Sequence, residues 1–301
     1  MTRNRKYALN QSPLYKLQSR KRLAELLHLD FRAAGQLAKA SHGLYRCWDD
    51  TNEKGKTRHI ENPRPKLKQT QRRIVELLNR ISTPGFLTCP VKGMSYIANA
   101  ACHRGATEVR NLDISSYFTS SHSRRVYWFF SKVMLCSQDV AGMLTALSTF
   151  SGHLPTGSPL SPILAFYAHF DMWCEIAELV RGSGCTLTVY MDDITISGSR
   201  VPELLIWQIK KVIHTAGLRT KRTKEKHYRN GKGGLVTGVF LKGEKLLIPN
   251  AQHQKAHLLR RQLMRDLDQQ ARENLISRLR SSVAQQRQIL AYNTSTIGPT
   301  R

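Results

Sequence analysis

The sequence predicts an α/β fold, in which strands that carry acidic residues alternate with amphipathic helices. Two apolar runs rich in β-forming residues, 185–189 and 194–197, flank the tetrapeptide Tyr-Met-Asp-Asp at 190–193 and indicate a hairpin. A further strand is predicted over 108–114. Helical periodicity in much of the remainder, in a chain of 301 residues of which 41% are hydrophobic, indicates a globular protein with a sizeable core.

The other elements are predicted from the spacing of apolar residues and from turn-forming residues. Leucines at helical spacing over 12–27 predict a basic amphipathic helix. A hairpin is predicted over 45–65, with its turn near Lys54-Gly55 and with Arg58 on its return strand. Further helices are predicted over 65–81, 121–150, 161–180, 202–217 and 251–292, and a second hairpin over 235–248.

The balance of charge is the most unusual property of the chain. Lysine and arginine number 47 against 21 aspartate and glutamate, which gives a formal net charge of +26. Such a charge favours a polyanionic partner, most commonly nucleic acid. A membrane surface is the alternative, but no apolar stretch approaches the ~20 residues that span a bilayer. The six cysteines form no Cys-x-x-Cys pair and the N-terminus lacks a signal-peptide core, so we expect a cytoplasmic protein.

Asp192 and Asp193 are adjacent carboxylates between two apolar strands. Taken alone, such a pair is explained most simply as an exposed turn, because turns favour aspartate. A pair packed against strands instead requires a cation, which offsets its repulsion and desolvation. Asp113, at the end of the strand over 108–114, meets the pair if the two strands are neighbours in one sheet. Nucleotidyl transfer uses two divalent ions held by convergent carboxylates, and hard oxygen ligands suit magnesium.

Three motifs, in this order along the chain, resemble those of reverse transcriptases. The string Asn-Leu-Asp-Ile-Ser-Ser-Tyr-Phe at 111–118 is similar to the first metal-binding strand of that family, and the tetrapeptide at 190–193 to its palm hairpin. Between them, Leu-Pro-Thr-Gly-Ser-Pro-Leu-Ser-Pro at 154–162 is similar to the loop beside template and nucleotide. The resemblance implies two Mg²⁺ ions, replaceable by Mn²⁺ in vitro. The implied catalytic and metal-binding residues are Asp113, Asp192 and Asp193, with the carbonyl of Ile114 as a further metal ligand.

Two shorter strings resemble elements of bacterial retron reverse transcriptases, which recognise RNA. One is an Asn-Ala-x-x-His element upstream of the first aspartate, and the other is a Val-Thr-Gly element. Each alone is weak, because Val-Thr-Gly is a common strand-to-turn string and a lone histidine is more often structural. Their joint order makes the resemblance specific, and it extends from about residue 23 to residue 240. The matching residues are Asn99, Ala100, His103, Val236, Thr237 and Gly238.

The resemblance also assigns a nucleotide site. Phe118 matches the aromatic that excludes a ribose 2′-hydroxyl and so selects deoxynucleotides. Arg58 and Lys66 match residues that contact the triphosphate, and Lys224 matches a lysine near the leaving pyrophosphate. The alternatives are a core aromatic for Phe118 and solvated surface charge for the three cations. In the loop Thr156-Gly157, threonine stands where many reverse transcriptases carry glutamine, which puts the hydrogen bonding of that loop in doubt.

The implied architecture is a right-hand polymerase with fingers, a palm of antiparallel sheet plus helices, and a small helical thumb. We expect a basic N-terminal helical region at 1–44 and fingers with part of the palm at 45–105. The palm, with the catalytic motifs and inserted fingers helices, is expected at 106–240. RNA-binding thumb helices are expected at 241–301.

The implied function is that of a retron-type RNA-directed DNA polymerase. Its implied substrates are deoxynucleoside triphosphates and a cognate structured non-coding RNA that serves as primer and template, and its implied product is a branched RNA-linked DNA (msDNA). The resemblance also implies an effector or toxin protein of the same system, a higher-order assembly with it, and antiphage defence in a bacterial cytoplasm. Two alternatives stay open. One is another bacterial reverse transcriptase, group II intron-like or diversity-generating, and the other is a non-catalytic RNA-binding scaffold with a palm-like fold.

Overall fold

A five-stranded mixed sheet carries the acidic motifs, in a computed structural model that describes residues 6–52, 55, 57–229, 231–265 and 268–294. β3 pairs with β5 in parallel, and the other neighbouring strands are antiparallel. The fold is α/β, as predicted. The strand order is β3 (Leu87–Cys89), β5 (Thr186–Tyr190), β6 (Asp193–Gly198), β4 (Glu108–Asp113) and β7 (Lys226–Tyr228).

Two smaller antiparallel sheets flank this sheet in the chain. The first is the predicted hairpin of β1 (Tyr45–Thr51) and β2 (Thr57–Pro63), and Arg58 lies on its return strand. Its predicted turn residue Lys54 lies outside the described residues. The second consists of β8 (Gly234–Val236), β9 (Val239–Lys242) and β10 (Lys245–Leu247). The prediction of one hairpin over 235–248 was therefore wrong, because residues 237 and 238 already form a tight turn between β8 and β9.

The α-helices of the described chain surround these sheets, and a π-helical segment, Phe129–Val133, follows α6. They are α1 Arg20–Leu26, α2 Phe31–Ala40, α3 Pro65–Asn79, α4 Tyr96–Ala101, α5 Tyr117–Ser120, α6 Ser123–Trp128, α7 Gln138–Ser148, α8 Ser161–Ala168, α9 Phe170–Gly182, α10 Glu203–Thr215, α11 Asn250–Leu263 and α12 Gln269–Thr294. Among the described helices, none combines the length and the apolar character that a membrane crossing requires.

The register between β4 and β6 fixes where the acidic residues lie. Leu112 lies opposite Ile194, and Asp113 lies opposite Asp193. The interiors of these strands are buried almost continuously, as expected of a sheet that is covered on both faces. A slip of one residue would turn every side chain to the opposite face, so burial specifies this register strongly.

Aromatic side chains fill the core beside the sheet. Trp173 is fully buried, and its indole nitrogen donates a hydrogen bond of 3.1 Å to the hydroxyl of Tyr117. The helix predicted over 161–180 is interrupted at His169, where α8 ends and α9 begins. His169 is itself buried, and its Nε2 lies 3.2 Å from the hydroxyl of Ser121.

The N-terminal prediction was wrong in part. The helix predicted over 12–27 begins only at Arg20, where the side chain of Ser19 caps it by accepting from the amide of Arg22. Leu14 and Leu17 are buried in the turns that precede it. Their spacing therefore reflects burial against the core and not helical periodicity.

The C-terminal helix α12 packs against the sheet of β8, β9 and β10. Ile289 of α12 is buried in a cluster with Ile97 and Ala100 of α4 and with Val239 of β9. The side-chain amide of Asn293 also pairs with both main-chain groups of Leu246 in β10, at 2.9 Å each. The helix predicted over 251–292 is thus divided into α11 and α12, which pack on each other, and α12 packs on β10.

Candidate active site

The β5–β6 hairpin presents its acidic turn at the edge of the sheet. Tyr190 pairs with Asp193, so Met191 and Asp192 form a two-residue turn. Met191 has a φ of 57°, in the left-handed region that non-glycine residues adopt at a cost of about 1–2 kcal/mol. The amide of Ile114 donates to the carbonyl of Asp192 at 2.9 Å and so ties the turn to the end of β4. This bond helps to hold a strained turn in one position.

The three predicted carboxylates converge at this turn. Burial, followed by the charges of Asp192 and Asp113, raises the pKa of Asp193 to about 6. Burial also raises the pKa of Asp192, and the charge of Asp113 adds to the effect. Asp113 is 4% exposed, and its carboxylate accepts a hydrogen bond from the ammonium of Lys224. Burial alone would lower the pKa of Lys224, but its contacts with the carboxylates outweigh burial, so the net shift of this pKa is upward. The site is therefore a concentration of negative charge that favours cations.

The donor chemistry of this cluster fits a hard divalent cation, because all three side chains offer carboxylate oxygens. Across the described ranges, however, no group of three or more histidine, cysteine, aspartate and glutamate side chains is arranged as a metal site. The two ions and their ligands, including the carbonyl of Ile114, stay predictions.

One side of the cluster opens into a cavity of about 430 Å³, which we name the Phe118 cavity. Its size is in the range of small-molecule sites. Lys66 lies elsewhere, in a separate cavity beside Leu27 and Arg73. The structure therefore brings three residues of the predicted nucleotide site to this cavity, Arg58, Phe118 and Lys224, but not Lys66, Thr156 or Gly157. The predicted residues that line the Phe118 cavity are Arg58, Asp113, Ile114, Phe118, Asp192 and Lys224.

The other side opens into a cavity of about 740 Å³, which we name the Thr237 cavity. Asp113 and Lys224 line both cavities, and Asp193 lines only this one. Thr237 and Gly238 form the turn between β8 and β9, with φ angles of 43° and 83°. Positive φ is rare for a β-branched residue such as threonine, so its surroundings must hold this turn. The Val-Thr-Gly string is therefore a tight hairpin turn that faces the acidic cluster.

The two strings that resemble retron elements contact each other. Asn99 is fully buried, and its amide donates to the hydroxyl of Thr237 at 3.3 Å. The Thr237 hydroxyl in turn donates to the carbonyl of Tyr96 at 2.8 Å. The side-chain oxygen Oδ1 of Asn99 accepts a hydrogen bond of 2.7 Å from the hydroxyl of Thr88. These bonds join α4, β3 and the β8–β9 turn, which explains why the two strings occur together. Ala100 and Val236 are buried in the adjoining apolar cluster.

His103 braces the acidic hairpin from behind. It is 1% exposed, and its ring nitrogens lie 2.6 Å from the hydroxyl of Ser197 on β6 and 2.7 Å from that of Thr188 on β5. Burial lowers the pKa of His103 to about 3, so the ring is neutral at pH 7. This is the environment of a structural histidine with both ring nitrogens satisfied.

The loop at 154–159 packs tightly on β2. The hydroxyl of Thr156 donates to the carbonyl of His59 at 2.8 Å and accepts from the amide of Glu61 at 3.1 Å. A Cβ atom on Gly157 would lie 2.8 Å from the carbonyl oxygen of Glu61. Both residues therefore attach the loop to the β1–β2 hairpin, and neither lines the Phe118 cavity. Their assignment to nucleotide binding stays a prediction.

Several side chains that line the Thr237 cavity were not assigned from the sequence, among them Tyr96 and Asn111. Asn111 precedes Asp113 by two positions on β4, so strand alternation could have placed it on the same face. Its amide donates to the carbonyl of Leu235 at 2.6 Å. Tyr96 begins α4 three residues before Asn99, and only the fold brings it to the cavity.

Comparison with known proteins finds retron reverse transcriptases among the sequence relatives. No protein-family model matches the chain. The retron Se72 reverse transcriptase of Salmonella heidelberg (strain 579083-10) is 27% identical over 245 residues, which cover 77% of this chain and 63% of that protein. The retron Mx162 reverse transcriptase of Myxococcus xanthus is 27% identical over 265 residues, covering 76% and 54%. The retron Ec86 reverse transcriptase of Escherichia coli is 26% identical over 194 residues, covering 63% and 60%.

The resemblance to retron reverse transcriptases is confirmed. The chain spans between 54% and 63% of the length of these three relatives. Among solved structures, a foamy viral protease-reverse transcriptase in complex with an RNA/DNA hybrid aligns with 71% of this chain and 24% of that chain, at 15% identity and a TM-score of 0.41. A TM-score of this size does not establish a shared fold.

Gly157→Ala should destabilise the protein by about 1–3 kcal/mol, because the new methyl group meets main-chain atoms of β2 that cannot move aside. Gly142→Ala is the matched control, since Gly142 lies inside α7 and nothing apart from the adjacent residues and the backbone of its own helix comes within 4 Å of its Cβ position. It should be neutral or stabilising by up to about 1 kcal/mol. Denaturant unfolding measures the free energy of unfolding of both variants. Equal stability of the two variants would contradict the close packing of the loop.

His103 should make the protein less stable in mild acid. Its pKa is about 3 when folded against 6.5 for the free side chain, so between these values only the unfolded chain binds the proton. The free energy of unfolding should therefore fall by about 2 kcal/mol between about pH 7.5 and pH 5 from this residue. His103→Gln should be less stable than wild type at neutral pH, and the difference should shrink by that amount at the lower pH. His257→Gln, on the exposed side of α11, is the control, and its free energy of unfolding should vary with pH as that of wild type does. If His103→Gln also kept the wild-type pH dependence, His103 would not be the cause of the loss of stability in acid.

Proposed function

We propose that the chain is an RNA-directed DNA polymerase of the retron type. One observation supports this most directly: Asp113 lies opposite Asp193 on neighbouring strands, and Asp192 occupies the turn that bonds to Ile114. Nucleotidyl transfer needs carboxylates that converge from different strands in this way. The curated relatives, which are named retron reverse transcriptases, support the reaction and the subfamily.

In this proposal Asp113, Asp192 and Asp193 bind two magnesium ions, which manganese replaces in vitro. Such ions, when bound, activate an attacking hydroxyl and stabilise charge on the triphosphate and leaving group. The deoxynucleoside triphosphate occupies the Phe118 cavity, where Phe118 excludes a 2′-hydroxyl. Arg58 and Lys224 are the cations of that cavity assigned to the phosphates. The proposed nucleotide site does not include Lys66, which lines a different cavity.

The primer end of the RNA is assigned to the Thr237 cavity. This cavity meets the nucleotide cavity at Asp113 and Lys224, so an attacking hydroxyl placed there lies beside the carboxylates. The β8–β9 turn contributes Thr237 and Gly238 to its wall. Because the hydroxyl of Thr237 is engaged with α4, the turn offers mainly its backbone and shape to the RNA.

The proposal extends to the architecture. The β1–β2 hairpin with α3 belongs to the fingers, the five-stranded sheet to the palm, and α11 with α12 to an RNA-binding thumb. The proposed partners are a cognate non-coding RNA, which serves as primer and template, and its branched msDNA product. An effector protein of the same system and a role in antiphage defence complete the proposal.

Replacement of the acidic pair tests the reaction. Asp192→Asn with Asp193→Asn should reduce incorporation of labelled deoxynucleotide by several orders of magnitude, because the carboxylates no longer hold cations at the turn. RNA binding, measured on the same preparation, should be retained. Asp139→Asn, on the exposed first turn of α7, is the control and should leave incorporation unchanged. Undiminished synthesis by the double variant would refute the assignment of the carboxylates, and equal inactivity of the wild-type chain would favour an RNA-binding scaffold.

The nucleic acid that copurifies with the chain tests the subfamily. A retron-type enzyme should yield a DNA joined covalently to one RNA species, in many copies per cell. Ribonuclease treatment should remove the RNA and leave a short branched remnant on the DNA, which sequencing identifies. Purification of the double aspartate variant from the same cells should give the RNA without the DNA. Unbranched DNA copied from varied transcripts would instead favour another class of bacterial reverse transcriptase.

A further inference from the structure

Helix α10 carries an exposed tryptophan on the face opposite the core. Its apolar residues Leu205, Ile206, Ile209 and Ile213 are buried against the central core. Trp207 points away from them and is 58% exposed. Lys211 follows one helical turn later, and its ammonium lies 5.4 Å from the centre of the indole ring. A large aromatic face is therefore left open to solvent next to a cation.

A concave surface surrounds this tryptophan, and its charge is of one sign. We name it the Trp207 surface; it encloses about 600 Å³ and is lined by Trp207, Lys210, Lys211, Arg219 and Arg222, among others. Within the described residues, no aspartate or glutamate lines it. Glu225 pairs with Lys210 at 2.7 Å, whereas no ion pair joins Lys211, Arg219 or Arg222 to a carboxylate in that part of the chain. Three cations thus remain available for an anionic ligand.

The Trp207 surface is continuous with the acidic site through one segment, 219–224. The amide of Ser115 donates to the carbonyl of Arg219, and the amide of Lys221 donates to the carbonyl of Asp113, both at 2.8 Å. Lys221 and Lys224 line the Phe118 cavity, whereas Arg219 and Arg222 line the Trp207 surface. Nearby cations of one segment therefore line two different surfaces, the Phe118 cavity and the Trp207 surface.

We propose that the Trp207 surface binds a single-stranded segment of RNA, with an unpaired base stacked on Trp207 and its phosphates held by Lys211, Arg219 and Arg222. Aromatic faces interleaved with cations suit single strands, because every base presents a face for stacking and every linkage a phosphate. A protein partner with an acidic surface is the competing occupant. The contiguity with the acidic site and the net charge of +26 favour nucleic acid. The choice of RNA over DNA rests on the proposed function, whereas the site itself does not.

Binding of a fluorescein-labelled oligouridylate to the full chain, followed by anisotropy, tests the site. Trp207→Ala should weaken binding about tenfold through loss of base stacking. Lys211→Ala with Arg222→Ala should reduce the slope of log Kd against log salt concentration by about 1.4, as expected for two lost phosphate contacts on a single strand. Leu204→Ala is the matched control on the same helix, because Leu204 is 65% exposed and does not line the surface. Lys132→Ala controls for loss of one exposed charge elsewhere. Both controls should bind as wild type does, and unfolding midpoints should be equal throughout.

Photocrosslinking identifies the contact directly. Bromouridine placed in the same oligonucleotide should crosslink to the peptide that contains Trp207. Affinity of Trp207→Ala equal to that of Leu204→Ala, or no crosslink to this peptide, would overturn the proposal. The proposal would also be overturned if Trp207→Ala abolished binding of an acidic protein but left oligouridylate binding intact. Binding that depends on Trp207 for oligothymidylate but not for oligouridylate would overturn the choice of RNA. The inactive double aspartate variant should keep the Trp207 effect, so failure of polymerisation and failure of this site are separate results.

Discussion

The antiparallel pairing of β4 with β6 places one carboxylate directly opposite another. Residues opposite each other across antiparallel strands have Cβ atoms about 4.5–5.5 Å apart, so Asp113 and Asp193 cannot avoid each other's charge. The turn residue Asp192 adds a third charge, and burial adds a desolvation cost. Two responses are visible: the pKa of Asp193 rises, mainly through burial, and the ammonium of Lys224 lies against Asp113. A site that already favours protonation and an ammonium partner is one in which multivalent cations gain most from binding.

A polar framework behind the hairpin keeps these charges in place. His103 joins β5 to β6 through two hydroxyl groups, and Asn99 joins α4 to the Thr237 turn. Such buried networks favour one arrangement, because each member left without its partner would cost about 1–3 kcal/mol. The two strings that resemble RNA-recognition elements thus have structural roles in this chain. These roles are compatible with recognition, since Thr237 and Gly238 also line the cavity.

Local pattern predicted the parts of the fold that local interactions determine. The strand that ends at Asp113 and the acidic hairpin were visible because apolar runs bound the aspartates. The helix predictions that were wrong depend on contacts between residues that are distant in sequence. Leu14 and Leu17 have helical spacing but are buried by contacts with distant parts of the chain. The helix break at His169 occurs without a proline or glycine that would have predicted it. The resemblance assigns both Lys66 and Lys224 to phosphates; the fold brings only Lys224 to the Phe118 cavity, and the role of Lys66 stays a prediction. The position of a long cationic side chain depends on tertiary structure that the sequence pattern does not contain.

The segment 219–224 shows how one stretch of backbone can relate two surfaces. Its main-chain bonds to Ser115 and Asp113 extend the pairing at the end of β4, which fixes the backbone on both sides of the acidic site. With the backbone fixed, the direction of each side chain is set, so Lys224 faces the carboxylates while Arg222 faces the Trp207 surface. A ligand that moved Arg222 by moving its backbone would also move Lys224 and alter the charge balance at Asp113. Coupling between two sites is reciprocal, so if this segment moves as a unit, binding at either surface would change the affinity of the other.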